Sequence, residues 1–112
     1  MTNPLLKIGR LFESLVYLCL NTYAGVNNAK LFFAKTYKGE REIDFVIQKG
    51  SKVIACEVKF SPTVIASDGK HLKWFSQIVG KECLDTLIIN TGSTAYRRED
   101  GIAVVPAALP GA

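Results

Sequence analysis

Histidine is nearly missing from this 112-residue chain, which carries one, and none of its three cysteines forms a CxxC pair. A structural zinc site needs four N or S donors at close spacing and is not expected here. Cys19, Cys56 and Cys83 are odd in number, widely spaced and set among apolar residues. They read as small buried hydrophobes in a reducing compartment, not as a disulfide framework. No apolar run approaches the ~18 residues that a membrane span needs, so no membrane partner is expected. Met1 to Asn21 does not show a charged start, an apolar stretch and a small-residue cleavage site in that order, which makes the cytoplasm the expected location. Gly and Pro are at ordinary levels, and repeats and internal linkers are not evident. Charge of one sign is also scarce: 14 Lys and Arg against 10 Asp and Glu leave +4, which tolerates a polyanionic partner without pointing to one.

What is present is enough for a core. Hydrophobic residues make up 48% and charged residues 21%, which excludes intrinsic disorder. A chain of this length forms one domain, 1–112, burying roughly two thirds of the surface its unfolded form exposes. Thr2 or Asn3 is a candidate cap for a helix from about Leu5 to Tyr23, with Pro4 in its first turn. Strands are expected at Leu31 to Thr36, Arg41 to Lys49 and Lys52 to Phe60, the last two joined at Gly50-Ser51. Ser67 or Asp68 is placed to cap a second helix through about Val79, with Leu72, Phe75, Ile78 and Val79 facing the core. Short strands follow at Thr86 to Asn90 and Ile102 to Val105. The order is α-β-β-β-α-β-β, an α/β fold, and the small residues of the tail after Pro106 should be loosely held.

The hairpin concentrates the chemistry. A turn at Gly50-Ser51 pairs residues whose numbers sum to 101, setting Asp44 opposite Glu57 and Glu42 opposite Lys59. Alternation puts these side chains on one face and Ile43, Phe45, Ile47, Ile54, Cys56 and Val58 on the other, which is the expected core face. Directly opposed Cβ atoms are ~4.5–5.5 Å apart, and like charges there are destabilising. Each carboxylate raises the other's pKa unless a cation intervenes. A divalent metal would remove that repulsion, and Mg²⁺ accepts one or two carboxylates together with waters and phosphate oxygens. The alternative is a solvated polar face on which Lys59 offsets the acids. In the first helix, Leu5, Ile8, Leu15, Val16 and Cys19 cluster around Phe12, and Glu13 falls about 100° from Phe12. Glu13 therefore borders the apolar arc, where it needs a partner or a cation, or else reaches water from the boundary.

Gly9-Arg10-Leu11-Phe12-Glu13, Glu42-Ile43-Asp44-Phe45 and Glu57-Val58-Lys59, taken in order, resemble the PD-(D/E)XK nuclease superfamily. Within it the chain looks most like the uncharacterised domain found C-terminal to AAA-type ATPase domains in bacteria and archaea. The resemblance covers about residues 9 to 106. Where the superfamily often has a proline before the aspartate, this chain has Ile43. The resemblance implies a restriction-endonuclease-like αβββαβ core, a mixed central sheet flanked by helices. It implies metal-dependent hydrolysis of phosphodiester bonds, expected in DNA, with Mg²⁺ as cofactor and Mn²⁺ as a substitute. Asp44 and Glu57 would hold the metal, with the Val58 carbonyl a further ligand and Glu13 joining directly or through water. Lys59 would position the attacking water and stabilise charge, a role that pairing with Glu42 would weaken. Lys35, Lys38, Lys70 and Lys73 are candidate nucleic-acid contacts, with Tyr37 and Trp74 as stacking residues, while His71 reads as a surface residue. An AAA-type ATPase domain and a second copy of the chain are further candidate partners. The alternative function is an inactive nuclease-fold module that binds nucleic acid or docks an ATPase partner. On this reading the chain is either a piece of a longer ATPase-containing protein or freestanding.

Overall fold

A computed structural model describes residues 4–35 and 39–107. The expected cap at Thr2 or Asn3, the strand end at Thr36, Tyr37, Lys38 and the tail beyond Ala107 lie outside those residues. The elements are α1 (Pro4–Val26), β1 (Lys30–Lys35), β2 (Glu42–Lys49), β3 (Lys52–Val58), α2 (Lys70–Val79), a 3₁₀ turn (Gly80–Glu82), β4 (Cys83–Asn90), β5 (Tyr96–Arg97) and β6 (Ala103–Pro106). The expected element order is present, with the 3₁₀ turn and β5 added. The strands form one mixed sheet of 6 strands in the order β1-β2-β3-β4-β6-β5. The first three strands run antiparallel, β3 to β4 and β4 to β6 are parallel, and β5 returns antiparallel. Among the described residues no helix is long and apolar enough to cross a membrane.

Both faces of the sheet are covered. Ile43, Val46, Ala55, Ile88, Ile102 and Val104 pack with Leu72 of α2. Phe45, Cys56 and Ile89 pack with Phe12 and Val16 of α1. This corrects the expectation that Ile43 and Phe45 share a single core face. The cause is a β-bulge: β1 pairs Phe32 with Val46 but Ala34 with Ile43, so Asp44 and Phe45 together oppose the one residue Phe33. An extra residue breaks the period-2 alternation and sends Ile43 to the α2 side.

The register of the central hairpin is the expected one, running from Lys49↔Lys52 at the turn to Phe45↔Cys56. Gly50 takes φ 60 in that turn, a region that favours glycine. Helix α1 runs past Gly25 and stops where Asn28 takes a left-handed φ of 55, while the amides of Asn27 and Ala29 still bond back to Tyr23 and Ala24. Its buried stripe is Phe12, Val16 and Ala24, with Leu20 partly buried. Residues spaced four apart advance by about 40° each, so the stripe turns toward the Glu13 side of the helix. Ile8, Leu15 and Cys19, expected on the core face, are exposed in consequence.

Helix α2 buries Leu72 and half-buries Phe75 and Val79, but Ile78 is 66% exposed. Ile78 lies about 120° around the helix from Leu72, off the sheet-facing stripe. The helix begins at Gly69, with no side-chain cap. Cys56 is buried as expected, and burial, followed by the charges of Asp85 and Asp44, pushes its thiol up to about 12. Cys83 is half-buried.

Candidate functional site

The site forms where β2 and β3 part. Their ladder ends at Phe45↔Cys56, one step before Asp44 and Glu57 would pair, and it ends at the bulge. In place of a further main-chain bond, the Val58 amide donates to Asp44 Oδ2 at 2.8 Å. Bulges increase local twist and re-aim side chains, which accounts for the parting of the strands and for the Asp44 carboxylate standing between them.

Asp44 and Glu57, expected as a directly opposed pair, are not paired in the ladder, though the charge of Asp44 acts on Glu57. Glu57 is half-buried, and burial, then the charge of Asp44, with smaller contributions from Asp68 and Glu42 against an opposing one from His71, push its carboxyl up to about 7. Asp44 is also raised, first by burial and then by Glu42, against the opposing Val58 hydrogen bond and His71. Glu13 is exposed, yet burial of its carboxyl and the charges of Asp44 and Glu42 raise it too. Glu13, Glu42 and Asp44 line one cleft of about 230 Å³. Glu13 reaches it because the buried stripe of α1 is turned toward that side.

Lys59 departs from expectation. Its ammonium bonds Asp68 Oδ1 at 2.8 Å instead of pairing with Glu42. Asp68 is thus the partner of Lys59 and not a helix cap, and its other oxygen accepts the Ile65 amide at 2.8 Å. Burial raises the Asp68 carboxyl, but the Lys59 and Ile65 hydrogen bonds and the Lys59 and Arg98 charges outweigh it and hold the group below the usual carboxylate range. Arg98 fixes the turn that carries Asp68, donating to the carbonyls of Ala66 at 2.9 Å and Asp68 at 2.7 Å. Arg97 makes a two-pronged bond to Asp85, at 2.9 and 3.0 Å, that ties β5 to β4. His71, expected at the surface, is half-buried with Nδ1 3.0 Å from the Glu42 carbonyl oxygen, which links α2 to the start of β2.

Among the expected nucleic-acid contacts, Lys70 is exposed in the first turn of α2. Lys73 is engaged by Asp100 at 2.9 Å. Lys35 closes β1, but its side chain, like all of Lys38, lies outside what is described. Trp74 is half-buried, with the Arg41 guanidinium 5.4 Å from its ring centre.

The donor set suits a hard divalent cation. Asp44 and Glu57 offer carboxylate oxygens, both groups pushed above the usual carboxylate range first by burial and then by neighbouring acids, and Lys59, the cation the sequence sets beside them, is held by Asp68. Among the described residues, no group of three or more His, Cys, Asp and Glu side chains is gathered to hold a metal by itself. Two carboxylates with waters and phosphate oxygens is the Mg²⁺ pattern and needs no third protein ligand.

A family model described as a domain of unknown function, DUF4143, matches residues 8–109. The chain belongs to the DUF4143 family. A comparison with curated proteins gave no match. The DUF4143 match contains the α1 glutamate, the β2–β3 carboxylates and the Asp68–Arg98 turn.

Proposed function

We propose that this domain is a divalent-metal-dependent nuclease that hydrolyses phosphodiester bonds in DNA. One observation supports the reading: Asp44 and Glu57 are half-buried at the parted end of β2 and β3, both carboxyls pushed above the usual range, that of Glu57 by burial and then by the charge of Asp44, with Lys59 two residues further on. A site that holds two carboxylates at such electrostatic cost is a functional candidate on physical grounds. Asp44 and Glu57 would hold Mg²⁺, and Glu13 would join through water. The metal, when bound, would polarise the phosphate and acidify a bound water. The Val58 amide keeps Asp44 in place, and Lys59, oriented by Asp68, supplies positive charge for the phosphoryl oxygens as negative charge develops there.

The test is incubation with plasmid and with single-stranded DNA in Mg²⁺ or Mn²⁺, alongside Lys59→Ala. Cutting that falls at least about a hundredfold in the variant supports the reading. Calorimetry should show Mn²⁺ uptake that Asp44→Ala abolishes, and an unchanged isotherm would refute it. A second reading, a non-catalytic nuclease-fold module that binds nucleic acid or docks an ATPase partner, is favoured by the hold of Asp68 on Lys59. It predicts DNA binding without cutting, indifferent to Glu57→Ala.

A further inference from the structure

Beside the carboxylate cleft lies a larger one of about 590 Å³, bordered by Arg10, Tyr17, Phe33 and Phe45. The two clefts adjoin, sharing Glu13, Phe33 and Phe45 as lining residues. Phe33 is 80% exposed on β1, an edge strand of the sheet, and it is the residue opposite the Asp44-Phe45 bulge. The bulge that frees Asp44 therefore also sets an aromatic ring across from it. Tyr17 is 44% exposed, and its ring lies 5.9 Å from that of Phe45 at an interplanar angle of 36°. The walls are flat aromatic surfaces, and the charged group the wider cleft adds to the shared Glu13 is the cation Arg10. The volume is within the roughly 300–1,000 Å³ of small-ligand pockets.

We propose that this wider cleft seats an unpaired nucleobase, stacked on Phe33, of the strand whose phosphate lies at the Asp44–Glu57 site. The inference rests on the phosphodiester reading of that neighbouring site and adds a substrate class to it: a single strand, or a frayed duplex end. A base within a duplex has both faces covered by its neighbours and offers none to Phe33. An unpaired base offers one, and aromatic side chains take it with little regard to base identity. Arg10 complements a backbone phosphate on the same strand. An aliphatic ligand would match the apolar walls but leave the adjoining acids and Arg10 without a counterpart.

Binding separates this from the catalytic reading. Fluorescence anisotropy with a labelled oligothymidylate and with a blunt duplex of equal length, in Ca²⁺ to hold back cutting, measures the two affinities. Phe33→Ala should weaken single-strand binding about ten- to a hundredfold, leave duplex binding unchanged, and be rescued by Phe33→Trp. An oligothymidylate with abasic residues should bind the native domain as weakly as the intact strand binds Phe33→Ala. Equal single-strand affinity in Phe33→Ala and native protein, or equal losses for single strand and duplex, overturns the proposal. Phe33→Ala keeps every carboxylate and Lys59, so Mn²⁺ calorimetry reports on the metal site alone. An absent Mn²⁺ isotherm defeats the nuclease reading, whereas a base preference insensitive to Phe33 defeats this one.

Discussion

The Val58 amide donates to the Asp44 carboxylate at 2.8 Å at the step where the β2–β3 ladder has ended. Asp44 is therefore both a structural acceptor and the proposed metal ligand, and the two roles separate by substitution. Asp44→Asn keeps an acceptor for Val58 and should alter stability by less than about 1 kcal/mol while removing Mn²⁺ binding. Asp44→Ala leaves a half-buried amide unpaired and should lower stability by about 1–3 kcal/mol in urea denaturation. Equal stability in the two variants would contradict the structural role.

Glu57 makes stability depend on pH in a defined direction. In the folded chain its carboxyl holds a proton up to about 7, against an ordinary value of 4.5. The folded state binds more protons across that interval, so stability is greatest in mild acid and falls as pH rises toward neutrality. Glu57→Gln removes this loss. Above neutrality it should be more stable than the native domain by about 1–2 kcal/mol, allowing for the partial exposure of the group, and in mild acid equal to it. Mn²⁺ should raise the native melting temperature more above neutrality than in mild acid, because the cation displaces the proton.

Particular residues show why part of this was readable from sequence. The pairing that brings Asp44 toward Glu57 followed from Gly50-Ser51 and the alternation beyond it, which are local signals. The bulge did not follow, because Ile43-Asp44-Phe45 alternates in sequence as any regular strand does, and the extra residue shows only when β1 is laid beside it. Asp68 precedes a helix, where an aspartate ordinarily caps, and its bond to Lys59 spans nine positions that no periodicity links. The Arg98 partners are main-chain carbonyls, which a sequence does not display. Glu13 stands where its helical angle places it, exposed at the edge of the apolar stripe, and the rotation of that stripe, which residue spacing alone does not show, turns it to the acidic cleft.

Gly69 should resist substitution more than its loop position suggests. It takes φ 95, and a Cβ there would stand 2.7 Å from Cδ1 of Ile102, which is 1% exposed. Backbone strain and the displaced isoleucine act together, so Gly69→Ala should cost about 2–4 kcal/mol in urea denaturation. Gly80→Ala meets a similar φ of 75 but no atom within 4 Å and should cost about 1 kcal/mol. A reversed order would show that Ile102 is not the obstacle.

Arg98 joins the stability of the 65–68 turn to the orientation of Lys59. Its side chain is 13% exposed and donates to the Ala66 and Asp68 carbonyls and to Asp100 at 2.7 Å. Lysine retains the charge but cannot present the planar fork that reaches those acceptors together. Arg98→Lys should therefore approach Arg98→Ala, each losing about 1–3 kcal/mol, with faster hydrogen exchange at the Ile65 amide that Asp68 accepts. Cutting by the proposed nuclease should fall in both variants, while Mn²⁺ affinity, which the proposal assigns to Asp44 and Glu57, should stay near that of the native domain. Full retention of activity in Arg98→Ala, or slow exchange at Ile65, would show that Lys59 is held independently of this turn.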